Sequence, residues 1–271
     1  TILASGLVAG SLSWLNYAWL LMLLPQGIFA QSLATATFPT MAAQVASGEL
    51  EGLRHTLNRT LRLTLFLIIP SVVALMVLGE PLVAALFERR AFDAKSTLRV
   101  TYALRLYAVG LTAHAVLEIL VRAFYALHNT MTPVAVGVLA MALNITLSIA
   151  WVGWLGYGGL ALANSVATIA EVLLLVWLLR RQLQGFGEMQ IVGAGARQLL
   201  AAAVAGGVIW LWLHWNSAVS GPPAGGARAW LVAIGGLGSG ALVYLTAAFA
   251  LRSDEVKQAW ELVVGRLTSR R

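Results

Sequence analysis

Four ionisable side chains interrupt the apolar stretch of residues 101–127: Arg105, His114, Glu118 and Arg122. A charge at the centre of a bilayer costs about 2.5–3.5 kcal/mol on insertion scales, so such side chains usually face a protein interior or a wet cavity. Glu118 and Arg122 are four residues apart, and His114 lies one turn earlier on the same face. Two interpretations stay open: a pair that joins neighbouring helices, or cavity groups that contact a substrate or take up protons. Both arginines lie near the ends of the predicted helix, where they can also extend to the membrane surface.

Other candidate site residues lie in a second apolar stretch and in a loop. Glu171 sits in mid-span, seven residues after Asn164 and on the same helical face. It is either a functional intramembrane carboxylate or, with Asn164, a hydrogen-bonding group between helices. Arg89 and Arg90 begin a basic segment that continues to Arg99. This segment either attracts anionic headgroups or diphosphate, or is a solvated loop.

Catalytic and metal chemistry find no support in the residue pattern. The chain has no Cys, which excludes disulfides, thiolate nucleophiles and thiolate metal sites. The His residues lack metal-ligand spacing, and no phosphate-binding loop, dinucleotide fingerprint or nucleophile–base pattern is present. The net charge of +7 comes mostly from cations between apolar segments. We therefore predict no enzyme, no metal site and no nucleic-acid partner.

The candidate residues lie on membrane-spanning helices. The chain is 59% hydrophobic and 11% charged, whereas soluble domains are about 25% charged. Since about 20 apolar residues cross a bilayer, we predict an all-α polytopic membrane protein with about seven full transmembrane helices plus one truncated N-terminal helix. The truncated helix is residues 1–12, and the full spans are expected at about 14–46, 61–78, 100–127, 133–154, 158–181, 198–215 and 229–251.

Proline, glycine and polar residues predict where the apolar helices bend, end or are joined by turns. Pro25 and Gly27 should kink the first long helix. Residues 47–62 predict a surface helix, residues 79–81 (GEP) predict the end of a span, and residues 82–92 predict a short interfacial helix. Asp93 or Ser96 is expected to cap the next helix. Residues 156–159 predict a tight turn, and residues 182–198 a polar linker.

The same pattern predicts four parts and an orientation. The parts are a helix remnant at 1–12, a bundle at 13–188, two further helices at 189–251 and an amphipathic cytoplasmic tail at 252–271. Lys and Arg concentrate on the cytoplasmic side of membrane proteins. With the C-terminus inside, twelve of the 18 basic residues are cytoplasmic and six are outside.

Four stretches in chain order resemble the MurJ/MviN lipid II flippases, which belong to the multidrug/oligosaccharidyl-lipid/polysaccharide exporter superfamily. They are residues 23–29 (LLPQGIF) with 34–39 (ATATFP), residues 79–83 (GEPLV) with 86–92 (LFERRAF), residues 122–134 (RAFYALHNTMTPV) and residues 156–163 (GYGGLALA). The resemblance implies the C-terminal half of a fourteen-helix flippase fold in the bacterial inner membrane, with a cytoplasmic C-terminus. It also implies alternating access, an undecaprenyl-pyrophosphate-linked peptidoglycan precursor as cargo, and the missing N-terminal half of the same protein as a partner.

The chain departs from the family pattern at two places. Many members carry a cavity arginine five residues before the proline of the first motif, where this chain has Leu20. Members that bind sodium use an asparagine, a carboxylate and a hydroxyl, which align with Asn144, Ser148 and Asn164. Because Ser148 supplies no charge, we expect no cofactor, and we treat sodium or membrane-potential coupling as an open question. An exporter of another lipid-linked oligosaccharide or of drugs, and a non-transporting paralogue, stay open as alternatives.

Overall fold

The computed structural model describes residues 10–89, 92–220, 226–251, 253 and 255–256, and the regular structure in them is helical. Helix α1 (Ser11–Pro25) continues through a π-helical turn (Gln26–Gln31) into α2 (Ser32–Ala46). The remaining helices are α3 (Leu50–Phe87), α4 (Ala94–Ala126), α5 (Met131–Leu155), α6 (Tyr157–Leu183), α7 (Glu188–Ser220) and α8 (Ala227–Ala250). Counting α1 to α2 as one rod, seven of the described helical segments are long and apolar enough to cross a membrane. The predicted all-α membrane fold is confirmed.

Helix α4 lies at the centre of the bundle. It packs against α1, α2, α3 and α6, while α5 packs mainly on α6, and α7 and α8 pack on α3. Its buried side chains contribute to two clusters, one with α1 and one with α2 and α6. Helix α5 exposes apolar side chains such as Val138, Leu139 and Ile149, as expected for a helix that faces hydrocarbon or another apolar helix. The charged helix of the sequence is therefore the core element.

The predicted irregularity at Pro25 is present as a π-helical turn. Proline has no N–H to donate to the carbonyl of the preceding turn, and wider turns of this kind bend helices at functional sites. The turn begins directly after Pro25 and buries the side chain of Gln26. It therefore directs an amide toward α4 from a helix that is otherwise apolar.

The predicted break at residues 79–81 is wrong, and so are the separate helices predicted on either side of it. Helix α3 runs without interruption through Pro70 and Pro81. Residues beyond Pro81, including Ala84 and Ala85, are buried, so continued packing outweighs the local cost of proline. Arg105 Nε donates to the carbonyl of Met76 at 3.1 Å, next to the carbonyl that Pro81 leaves without its usual donor.

The polar linker predicted at residues 182–198 is also mostly helix, since α7 begins at Glu188. Gln198 is buried and its Nε2 donates to the carbonyl of Arg62 at 3.4 Å. Gly187, with φ +81°, starts the helix from a left-handed conformation that favours glycine. The polar side chain of Gln198 in this segment forms a hydrogen bond with α3, so polarity here does not indicate a loop.

Two predicted helix boundaries are confirmed. Asp93 caps α4, because its carboxylate accepts from Ser96 N at 2.8 Å. The α5–α6 turn is at Gly156, whose φ is +57°. A Cβ at Gly159 would lie 2.7 Å from the carbonyl oxygen of Trp151, so the tight hairpin requires glycine there. The helix remnant was predicted at residues 1–12, of which residues 1–9 lie outside the described residues and Ser11 and Leu12 belong to α1. Most of the predicted amphipathic tail also lies outside the described residues.

Candidate functional site

The Glu118–Arg122 pair on α4 joins three elements. The Glu118 carboxylate accepts from Arg122 Nη1 at 2.6 Å, and both side chains are about a quarter exposed. Gln26 of the π-helical turn donates from Nε2 to Glu118 at 3.5 Å. Arg122 Nη2 lies at the same distance from the hydroxyl of Thr35 on α2. The pair therefore bridges helices and also reaches the exposed side of α2, so both interpretations offered by the sequence have a geometric basis.

His114 extends the same polar face toward α6. Its Nε2 lies 3.0 Å from Asn164 Oδ1 and 3.3 Å from Thr168 Oγ1. The Thr168 hydroxyl donates to the backbone carbonyl of Asn164, so its oxygen accepts from the imidazole and Nε2 carries the proton. Trp19 of α1 meets the imidazole edge-on, with ring centroids 5.6 Å apart. One face of α4 thus carries a polar layer inside the bundle, made of the Glu118–Arg122 group and, one turn away, the His114 group.

Leu20 lies on an exposed stripe of α1. Leu20, Leu24 and Ile28 are 53%, 54% and 61% exposed, and their spacing of four places them on one face with Asn16. This is the position where the family pattern predicts a cavity arginine. The neighbouring rings of Trp19 and Tyr107 pack against each other on the buried side. The stripe is the apolar surface that α1 offers to a missing neighbour or to a cavity.

Arg105 is not part of this polar layer. It precedes His114 by nine residues, which at 3.6 residues per turn is a rotation of about 180° around α4. It lines a cavity of about 450 Å³ between α3, α4, α7 and α8, on the side away from α1. The structure separates Arg105 from Glu118 and Arg122, although all three were candidates on the same predicted helix.

Glu171 faces α5. Its Oε1 would lie 3.5 Å from a Cβ placed on Gly137, which is an ordinary van der Waals contact. Asn164, the partner considered from the sequence, bonds to His114 instead. Among the described residues Glu171 forms no side-chain hydrogen bond or ion pair. Its role remains a prediction.

The residues aligned with a sodium site do not fit that ion well. Ser148 and Asn164 are each eight residues from Gly156, so the antiparallel hairpin brings them to a similar depth. Asn144 is half-buried, Ser148 is buried, and the Asn164 oxygen already accepts from His114. A hard cation prefers several oxygens, usually including carboxylates, and this set has none. The described part of the chain also contains no group of three or more His, Asp or Glu that could hold a metal.

The basic segment at residues 89–99, which continues into the first turns of α4, is partly anchored. The Arg99 guanidinium lies 4.3 Å from the centre of the Trp14 ring, a cation–π contact that joins α4 to α1. Arg89 and Lys95 are exposed. Arg90 lies outside the described residues. The segment therefore combines one structural cation with at least two that face the surroundings.

Sequence reasoning missed several polar groups that the structure brings into contact. Gln26 was noted only inside a motif, yet it is buried and bonds to Glu118. Asn58 on α3 donates to the carbonyls of Phe186 and Gly187 at 3.0 and 2.9 Å. Asn58 directly follows the buried Leu57, and a polar residue on a buried helix face is a signal that could have identified it. Gln26 offered the similar signal of an amide next to a helix-bending proline.

Comparison with known proteins gives one family. The family model described as lipid II flippase MurJ matches residues 1–221. A probable lipid II flippase MurJ from Vibrio cholerae is 33% identical over 225 residues, which cover 80% of this chain and 42% of the relative. The lipid II flippase MurJ of Burkholderia cenocepacia is 32% identical over 182 residues, which cover 67% of this chain and 35% of the relative. The chain spans less than half the length of these curated relatives.

Solved structures give the same fold. A lipid II flippase MurJ in an inward closed conformation matches with a TM-score of 0.77 and 28% identity, over 93% of this chain and 49% of that one. An outward-facing multidrug resistance MATE family transporter of the MOP superfamily matches with a TM-score of 0.59 and 17% identity, over 96% and 62% of the two chains. At that identity the second likeness concerns the fold alone.

Proposed function

This chain belongs to the lipid II flippase MurJ family, and from that premise we propose that it forms the C-terminal lobe of a transporter that moves an undecaprenyl-pyrophosphate-linked peptidoglycan precursor across the bacterial inner membrane. The observation that carries the proposal is the family match over residues 1–221, together with seven membrane-length helices in the order of that fold. The resemblance drawn from the four sequence motifs is confirmed. The chain is a multi-pass protein of the bacterial inner membrane.

The proposed transport requires a second lobe, and we expect a longer parent protein to supply it, since the chain spans only 42% of the Vibrio cholerae relative. Repeat-built transporters alternate access by rocking one half against the other around a central site. The exposed stripe of Leu20, Leu24 and Ile28 is the apolar face suited to such a partner or to a polyprenyl chain. Arg122 of the Glu118–Arg122 pair lies 3.5 Å from the hydroxyl of the exposed Thr35, on the α2 part of the same rod. We assign this pair to the cavity wall, where its arginine attracts the diphosphate.

Complementation tests the proposal. The full-length parent should restore growth to cells depleted of their own flippase, because both lobes are needed to enclose a cargo. The 271-residue chain alone should not. Rescue by this chain alone would contradict the two-lobe proposal, and failure of the parent to rescue would favour another cargo.

A second candidate cargo has one observation in its favour. Leu20 is apolar where the family pattern predicts an arginine that meets diphosphate. A related exporter of another lipid-linked oligosaccharide or of drugs would not need that charge. Parent protein in liposomes separates the two proposals, since a lipid II flippase moves the diphosphate lipid and leaves a cationic dye in place. Movement of neither would favour a non-transporting paralogue.

We further propose that transport does not depend on sodium and draws on the membrane potential. The donor set of Asn144, Ser148 and Asn164 lacks a carboxylate, and one of its amides is engaged by His114. A net charge that crosses the membrane gains about 2.3 kcal/mol per 100 mV, which is enough to bias an anionic cargo.

A further inference from the structure

The cavity between α3, α4, α7 and α8 holds an acid and a base that do not pair with each other. Glu80 of α3 and Arg105 of α4 both line it. Arg105 uses Nε for the Met76 carbonyl, which leaves its terminal nitrogens for another acceptor. Within the described residues no ion pair joins Glu80 to Arg105, and Glu80 has no side-chain hydrogen bond. Glu80 and Arg105 therefore line one pocket of a membrane protein without neutralising each other. Arg228 of α8 lines the same cavity, but it is engaged in a contact of its own.

The cavity lies at headgroup depth. Arg228 is the second residue of α8, whose 24 residues are about 36 Å long, close to the thickness of the hydrocarbon core. Glu80 lies seven residues before the end of α3, which is about 10 Å along the helix. A headgroup can therefore enter the cavity while its acyl chains stay in the hydrocarbon.

The walls offer distinct chemistry to the two ends of such a headgroup. Arg105 can bind a phosphate through two parallel N–H bonds, and the Glu80 carboxylate can accept from an ammonium. Trp210 is exposed at the rim and stacks on His214, with ring centroids 5.3 Å apart and planes 15° apart. Tryptophan at this depth packs against glycerol and upper acyl carbons.

From this arrangement we infer that the cavity lined by Glu80, Arg105 and Trp210 binds a zwitterionic aminophospholipid headgroup, with the phosphate on Arg105 and the ammonium on Glu80. An unpaired charge at the membrane boundary is costly, and a ligand with both charges removes both costs at once. A diphosphate lipid carries more negative charge and no cation, so Glu80 would repel it. An anionic phospholipid likewise leaves Glu80 without a partner. The inference stands apart from the proposed cargo, because this cavity is on the opposite side of α4 from His114.

Native mass spectrometry of the full-length parent tests the site with three lipids of identical acyl chains: phosphatidylethanolamine, phosphatidylglycerol and phosphatidylcholine. Phosphatidylethanolamine should be retained in preference to the other two by about fivefold or more, as expected for one additional charge-assisted hydrogen bond. Glu80→Gln should remove that preference without weakening phosphatidylglycerol. Arg105→Gln should weaken all three lipids.

Control variants distinguish the loss of lipid binding from unfolding of the protein. Arg181→Gln removes an exposed cation at the opposite end of the bundle and should leave all three affinities unchanged. Each variant's thermal unfolding midpoint is measured, and if Arg105→Gln unfolds, Arg105→Lys should keep phosphate binding while losing two-point geometry. Equal retention of the ethanolamine and glycerol lipids by the wild-type protein would overturn the inference. So would an unchanged preference in Glu80→Gln, or displacement of phosphatidylethanolamine by undecaprenyl diphosphate with the same dependence on both residues.

Discussion

The carboxylate of Glu255, which is fully buried, accepts from Arg62 Nε at 2.6 Å across 193 residues of sequence. Ser253 Oγ donates to the same carboxylate at 2.6 Å. The contact attaches the segment after α8 to the first half of α3. Nearby, the Tyr244 hydroxyl donates to the carbonyl of Phe66 at 2.7 Å, so α8 itself is fixed to α3 by a second polar contact.

Loss of this buried pair should destabilise the protein. Glu255→Ala removes the buried member of the pair and leaves the half-buried Arg62 without this partner. Breaking a fully buried pair costs about 3–5 kcal/mol, and the partial exposure of Arg62 places the expected cost below that range. The thermal unfolding midpoint of the full-length parent should fall clearly. The matched control is Glu51→Ala, which removes an exposed pair with Arg54 at 2.6 Å and should cost about 0–1 kcal/mol. Equal effects of the two variants would show that burial adds nothing to the Glu255 contact.

The same pair predicts a pH dependence. Burial on its own raises the pKa of Glu255, but hydrogen bonds from Ser253 and Arg62 outweigh it and hold the pKa below the usual 4.5. A carboxylate with a lowered folded-state pKa stabilises the fold above pH 4.5, and this stabilisation is lost as the pH falls through the folded value. The unfolding midpoint of wild type should therefore fall more steeply below pH 4.5 than that of Glu255→Gln. Parallel curves would contradict the assignment.

The proposed cavity pair predicts a transport defect without unfolding. In the parent, Glu118→Gln and Arg122→Gln should each lower the flipping rate by about tenfold or more, because the arginine then lacks either its orientation or its charge. Thr246→Ala is the control, since its hydroxyl bonds only within its own helix. Normal flipping in both variants, with normal unfolding midpoints, would leave the pair a packing feature.

An arginine at position 20 should increase the affinity for undecaprenyl diphosphate. An arginine introduced there would lie on an exposed face beside Asn16 and Leu24, so the fold should tolerate Leu20→Arg. If the stripe lines the cargo cavity, the variant should bind undecaprenyl diphosphate about tenfold more tightly than wild type, as expected for one charge-assisted contact. The affinity for undecaprenyl diphosphate is measured in detergent. Leu231→Arg, on the exposed face of α8, is the control. An equal gain in both variants would indicate a general charge effect.

Close approach of α4 and α6 depends on one glycine. A Cβ at Gly110 would lie 2.7 Å from the Cα of Ser165, whose hydroxyl donates to the carbonyl of Leu106 at 2.7 Å. Gly110→Ala should therefore destabilise the protein by about 1–3 kcal/mol through forced separation of the helices. Gly153→Ala has open space around it and should be neutral or stabilising by up to about 1 kcal/mol. The thermal unfolding midpoints of Gly110→Ala and Gly153→Ala are compared. Equal midpoints would contradict close packing at Gly110.

The proposed orientation predicts the accessibility of single cysteines. This chain has no native Cys, so cysteines introduced into it need no background removed within it. With a cytoplasmic C-terminus, Lys95→Cys lies outside and Glu49→Cys inside, and both positions are exposed. An impermeant maleimide should label only Lys95→Cys in intact cells and both after lysis. The opposite pattern would invert the orientation.

Much of the fold follows from the sequence because each signal involved is local. Apolar length determines the spans, Asp93 supplies its own cap, and Pro25 disturbs its own helix. The failures occur where distant packing decides the outcome. Pro81 stays helical because the residues after it are buried, and Glu255 is buried because Arg62 lies beside it in space. The site shows the same division. The Glu118–Arg122 contact follows from a spacing of four, and the spacing of nine from His114 places Arg105 on the opposite face of α4. That α7 and α8 pack beside that face does not follow from any local spacing.

The unbroken course of α3 has a mechanical consequence. Its 38 residues form a rod of about 57 Å that packs against α4 within the lobe and against both α7 and α8. Pro70 and Pro81 lie inside this rod without ending it. If the lobe tilts as proposed, α7 and α8 should move together with α3, and a lipid seated between them and the lobe should travel with all three helices.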